Sequence, residues 1–141
     1  TFINLECALK EDGKGEQTGR LWRFRGLPSY TEALWQGSIE QVNIANNHHG
    51  DYGTAGEEST RQALIDAGMP FSGYGYTYVW EKNGHKIGFA GCRETTYKND
   101  EFVIARDINR LREQGCDVIV YSCHWGTEYD DKHNALQQEM E

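Results

Sequence analysis

The sequence predicts an α/β domain, a layered α/β sandwich on a mixed, largely parallel sheet, and three observations carry that expectation. Short apolar runs recur along the chain and are separated by longer amphipathic stretches, the alternation expected of sheets covered by helices. One run, "DVIVYSC", is β-branched and almost continuously apolar, as a centrally buried parallel strand should be. Asn83-Gly84 between two extended runs signals a tight hairpin, so one antiparallel pair joins the sheet. At 141 residues, with 38% hydrophobic and 12% aromatic side chains, the chain is expected to be one domain with a core of its own.

The elements follow in order. Phe2 to Leu5 reads as the first strand, after which "KEDGKGEQTGR", residues 10 to 20, is the one stretch expected to be mobile. In "PSYTEALWQGS", Pro28 starts a short helix and Gly37 ends it. Val42 to Ala45 is the second strand. "TAGEESTRQALIDAG" is a helix beginning at Thr54 or Ala55, with Glu57 and Glu58 near its positive end and Gly68, then Met69-Pro70, as its stop. "YTYVWEKNGHKIGFAG" is the hairpin, whose second arm, Lys86 to Ala90, is the third strand. From Asp100 to Gln114 a helix aligns Val103, Ile104, Ile108 and Leu111 on one face, and Gly115 closes it. Asp117 to Cys123 is the fourth strand.

A formal charge of −8, from 22 acidic and 14 basic residues, argues against a nucleic-acid partner, and no basic cluster overrides it. No apolar run approaches the roughly 18 residues of a membrane span, so the chain as it stands is expected to be soluble. It opens on an apolar run and stops inside "ALQQEME", which has helical composition, and is therefore read as a piece of a longer protein. Cys7, Cys92, Cys116 and Cys123 form no C-x-x-C pair and are expected to be buried free thiols.

In open α/β sheets ligands collect beyond the carboxyl ends of parallel strands, and here those positions are polar. Glu6 follows the first strand, Asn46-Asn47-His48 the second, and His124, with Trp125, Gly126 and Glu128, the fourth. If these strands are neighbours, a carboxylate, an amide oxygen and an imidazole converge on one rim. That donor mixture suits Mn²⁺, Fe²⁺ or Zn²⁺ better than calcium or a thiolate-bound soft metal. His48, beside Asn47, is placed to protonate a leaving group or to stabilise developing charge. A plainer reading stands next to this one: Asn46, Asn47, Asp51 and their glycines are ordinary turn formers, and Glu6 could be a solvated strand end. His49, His85 and His133 read as surface residues.

No nucleophile elbow and no phosphate loop occur. "GYGYTY" at 73 to 78 precedes a hairpin and not a helix, which excludes the usual dinucleotide fingerprint. Cys92 and Cys123 end strands near the rim, which makes a catalytic thiol conceivable.

"NLE" at 4 to 6, "ANNHHGDYG" at 45 to 53 and "HWGTEY" at 124 to 129, in this order and spacing, resemble the bacterial capsule-synthesis proteins of poly-γ-glutamate production, the CapA family. "FRGLP" at 24 to 28 and "NGHKIGFAG" at 83 to 91 extend the resemblance over nearly the whole chain. That family is similar in fold to the calcineurin-like metallophosphoesterases, α/β sandwiches with two metal ions at the strand ends. The resemblance implies that Glu6, Asn47 and His124 are metal ligands and that His48 is the catalytic acid or charge stabiliser. Asn46, Asp51, Trp125 and Glu128 fall in the shell around them or against substrate. The superfamily's opening Asp-x-His and closing Gly-His-x-His elements are absent, so residues 1 to 141 represent one partial domain. Asn46 replaces the glycine of Gly-Asn-His, and the acidic residue that should follow the histidine is displaced to Asp51.

The resemblance implies a role in capsule or poly-γ-glutamate biosynthesis at the cell envelope, in a membrane-anchored parent whose domain lies outside the cytoplasm, alongside other capsule-synthesis membrane proteins. The expected chemistry is metal-assisted hydrolysis or transfer with two divalent ions in the full-length protein, acting on an anionic polymer or a phosphorylated substrate. Two alternatives are open: a non-catalytic scaffold that holds polymer, or a phosphodiesterase acting on a small substrate.

Overall fold

A computed structural model of the chain describes residues 1–15, 19 and 21–140. Part of the loop expected to be mobile, residues 16 to 18 and 20, lies outside the described residues. The strands form two three-stranded sheets and one short pair, so the single sheet expected above becomes two. In the first sheet β1 (Phe2–Asn4), β4 (Gln41–Asn43) and β5 (Phe71–Ser72) are all parallel, with β4 in the middle. The second holds β6 (Tyr78–Lys82) antiparallel to β7 (His85–Arg93), which pairs in parallel with β8 (Val118–His124). The pair is β2 (Ala8–Leu9) with β3 (Arg25–Gly26). Asn83 at φ 55° and Gly84 at φ 79° make the β6–β7 turn, as the dipeptide predicts.

The alternation of side chains explains why two sheets form. On one face of the first sheet Val42 and Ile44 join Leu5, Leu9, Ala63, Leu64 and Met69 in the core, against α2 (Gly53–Asp66). The other face carries Phe2, Asn4, Gln41 and Asn43, too polar for a dry core. It meets the inner face of the second sheet: Phe2 and Phe89 rings lie 5.5 Å apart, and Asn43 Nδ2 donates to Ser122 Oγ at 3.4 Å. A Cβ at Gly91 would come 2.5 Å from Asn43 Oδ1, so the sheets approach this closely only with glycine there. Behind the second sheet packs α4 (Val103–Glu113), with Leu111 over Gly88. The layers run helix, sheet, sheet, helix.

Four expectations need correction. "DVIVYSC" is not a centrally buried strand. Among the described residues β8 is an edge, Val118 is 54% exposed and none of its residues is buried, because only β7 pairs with it. The helix expected from Asp100 begins at Val103, preceded by a separate α3 (Glu94–Asn99) that the pattern did not show. Only Cys92 of the four thiols is fully buried, and all four are free. The helix expected from Pro28 is a 3₁₀ turn, Pro28–Tyr30, continued by α1 (Thr31–Gln36). A last short helix, α5 (Ala135–Met140), follows β8.

Candidate functional site

Because β1, β4, β7 and β8 run in parallel within their sheets, their carboxyl ends open onto one cleft of about 750 Å³ at the join of the two sheets. Glu6, Asn47, His48, His124, Trp125 and Glu128 all line it. Glu6 and His124 come from different sheets and meet with His124 Nε2 3.9 Å from Glu6 Oε1. Asn4 Nδ2 steadies the other carboxylate oxygen at 2.9 Å. Burial lowers the His124 pKa below the usual imidazole value, and the Glu6 carboxylate works against that shift.

The loop after β4 is held by its own polar side chains. Asn46, with no exposed surface, donates through Nδ2 to Asn4 Oδ1 at 3.1 Å and to the Leu5 carbonyl at 2.9 Å. Its Oδ1 accepts the His48 N–H at 3.0 Å, and its carbonyl accepts the Tyr74 hydroxyl at 2.8 Å. Asp51, also fully buried, accepts from the Phe24 N–H at 2.7 Å and pairs with His48 Nδ1 at 2.6 Å. A carboxylate only accepts, so Nδ1 carries the proton and Nε2 is the nitrogen left for chemistry. The Phe24 ring stacks on the imidazole, centroids 3.9 Å apart and planes 19° from parallel. Gly53, at φ 60°, turns the loop into α2.

Asn46 and Asp51, neither with exposed surface, hold His48 and the strand ends in place. The surface reading of His49 is overturned: it is 4% exposed, packs on Tyr74 with centroids 5.2 Å apart, and burial lowers its pKa to about 4. His85 and His133 are exposed as expected. Cys92 and Cys123 are register partners on the face turned towards α4, and neither lines the cleft, which removes the catalytic-thiol reading. Sequence reasoning missed Arg93, Phe24 and Glu94, which also line the cleft. Arg93 was within reach of the same rule that found His124, since it ends β7 directly opposite His124.

The donor chemistry can be tested against a metal ion. Two ligands each about 2.1 Å from one ion stand at most about 4.2 Å apart. The Glu6–His124 separation of 3.9 Å falls within that span. Among the described residues, however, no group of three His, Cys, Asp or Glu side chains converges to hold an ion. Glu6 and His124, with the Asn47 amide beside them, therefore fit part of one coordination sphere and need further donors.

A family model described as bacterial capsule synthesis protein PGA_cap matches residues 1–141. The capsule biosynthesis protein CapA of Bacillus anthracis is 26% identical over 132 residues, covering 77% of this chain and 32% of the relative. The PGA biosynthesis protein CapA of Bacillus subtilis (strain 168) is 29% identical over 119 residues, covering 70% of this chain and 31% of the relative. The chain thus spans about a third of the length of these curated relatives.

Proposed function

The chain belongs to the bacterial capsule synthesis protein family, and from that premise we propose that its cleft carries out metal-assisted hydrolysis or transfer at a phosphoryl or γ-glutamyl group during poly-γ-glutamate synthesis. The observation that supports this most is the meeting of Glu6 and His124 at 3.9 Å, with His48 oriented beside them. Glu6, His124 and Asn47 would hold a divalent ion, Mn²⁺, Fe²⁺ or Zn²⁺, with the remaining donors, and those of a second ion, from outside residues 1 to 141. Such an ion, when bound, polarises a phosphoryl or acyl oxygen and lowers the pKa of water.

The protein's own groups do the rest. His48, pinned through Nδ1 to Asp51, presents Nε2 to the cleft and in its protonated form donates to a leaving oxygen or nitrogen. Asp51 fixes the ring. Phe24 covers one ring face and keeps water from it.

No helix among the described residues is long and apolar enough to cross a membrane. The site of action we propose is nonetheless the outer side of the cell envelope, in a membrane-anchored parent working with other capsule-synthesis membrane proteins. A second reading is a non-catalytic scaffold holding the polymer. Both are tested in the full-length protein by calorimetric titration with Mn²⁺ and Zn²⁺ and by assay on a phosphodiester and a γ-linked glutamate oligomer. Catalysis predicts that His124→Ala weakens metal binding and that His48→Gln keeps the metal but loses roughly 10²- to 10⁴-fold in turnover. Absence of metal binding and of turnover in the wild type, with polymer still bound, would establish the scaffold.

A further inference from the structure

Arg93 is the cationic residue lining the cleft that neither the metal-ligand reading nor the His48 mechanism uses. It is the last residue of β7, in register with His124 across the β7–β8 pair, and it lines the same cleft as Glu6 and His48. Neighbouring strands lie about 4.8 Å apart, so a guanidinium and an imidazole start from adjacent positions of one rim.

The guanidinium makes no hydrogen bond or ion pair with the described residues. Two of the three cleft glutamates are engaged elsewhere, and the third, Glu128, lies in the exposed loop after β8. Glu94, its chain neighbour, pairs with Lys98 and accepts the Gly126 N–H at 3.1 Å. Glu6 accepts from Asn4 and faces His124. In a chain of net charge −8, a half-buried arginine left without a carboxylate among three cleft glutamates is unusual, since acids in surplus ordinarily take up such a cation.

We propose that Arg93 is the anion-binding residue of the cleft, taking two oxygens of an anionic group of the substrate, a carboxylate or a phosphate, through two parallel N–H donors beside His124. The proposal rests on the reading of this cleft as one that handles an anionic substrate, and it names the residue that does the selecting. The guanidinium fork matches two oxygens at once, which a lysine ammonium cannot. It also supplies positive charge from the protein itself, in a cleft that carries three glutamates.

The test is calorimetric binding to the full-length protein of three probes: a γ-linked glutamate pentamer, the same pentamer with every carboxylate amidated, and inorganic phosphate. Wild type should prefer the acid pentamer to the amidated one. Arg93→Gln should weaken the acid pentamer roughly ten- to a hundredfold, the value of a charged hydrogen-bonded pair, and leave the amidated one unchanged. If phosphate shows the same loss, the arm recognises phosphate as well; if only the pentamer does, it recognises carboxylate. Arg93→Lys, which keeps the charge and the packing stem, guards against a folding artefact and should fall between wild type and Gln. Affinity for acid pentamer and phosphate within about twofold of wild type in both variants would overturn the role of Arg93 alone. Failure of the wild type to bind either anion would instead overturn the anionic-substrate reading, and Arg93 with it.

Discussion

The loop after β4 and the loop after β8 both reach the cleft, yet in the first Asn46, His48, His49 and Asp51 are at most 9% exposed, while in the second Tyr129 is 99% exposed. Residues 46 to 51 are held from four directions, by Leu5, Phe24, Tyr74 and α2. Residues 126 to 133 are exposed throughout, tied by a few contacts such as Gly126 N–H to Glu94. One half of the cleft is therefore set before any ligand arrives, and the other half has room to adjust. On the function proposed above, His48 as proton donor sits on the fixed half, and the loop free to adjust to substrate is the other.

The largest effect should come from Asp51→Ala. It strands two donors, the part-buried Phe24 N–H and the buried His48 Nδ1–H, at a cost of about 2–4 kcal/mol. The matched change in the open loop, Glu128→Ala, should stay within about 0.5 kcal/mol of wild type. Urea unfolding of the two variants compares them directly, and equal losses would break the contrast between the loops. Asn46→Ala should follow, at about 1–3 kcal/mol, since the Asn4 side chain and the Leu5 carbonyl both lose a donor. His124→Ala is expected to cost less than about 1 kcal/mol in the same measurement, because its ring is partly exposed and makes no hydrogen bond closer than the 3.9 Å approach to Glu6.

That contrast also explains what could be read in the sequence. That Glu6, Asn47, His48 and His124 line one cleft could be anticipated because polar residues directly after apolar runs break the local pattern, and the rule for strand ends gives the break a place. The hairpin was legible because Asn83-Gly84 demands a particular backbone. What could not be read was set by partners distant in sequence. His49 has no local signal of burial; Tyr74, 25 positions on in the chain, covers it. The split into two sheets depends on Asn43 meeting Ser122 and Phe2 meeting Phe89, and period-2 patterning says which residues share a face without saying which sheet opposes them. The apolar run of β8 suggested a central strand, and composition cannot tell how many neighbours pair with it.

The smallest effect asks whether the looseness of the β8 side extends behind its sheet. There Asp107, 1% exposed, accepts the Tyr121 hydroxyl at 3.1 Å and so ties α4 to β8. Burial raises its pKa above the usual carboxylate value, although the Tyr121 hydrogen bond and the guanidinium groups of Arg110 and Arg106 pull the other way and Asp100 adds to the rise. A raised folded pKa means that the native state binds this proton more tightly than the unfolded chain does. The resulting stabilisation is fully present below the unfolded pKa near 3.8 and is lost as pH rises through the folded one. Asp107→Asn keeps an oxygen for Tyr121 and removes the charge, so it should match wild type at pH 3 and become the more stable of the two towards pH 7, by less than either loop substitution costs. Urea midpoints of both proteins across that range decide it. If the difference does not grow with pH, the carboxylate is not the strained member of this layer; if the variant is less stable at every pH, Asp107 holds α4 on the sheet as firmly as Asp51 holds His48, and the β8 side is loose only at its rim.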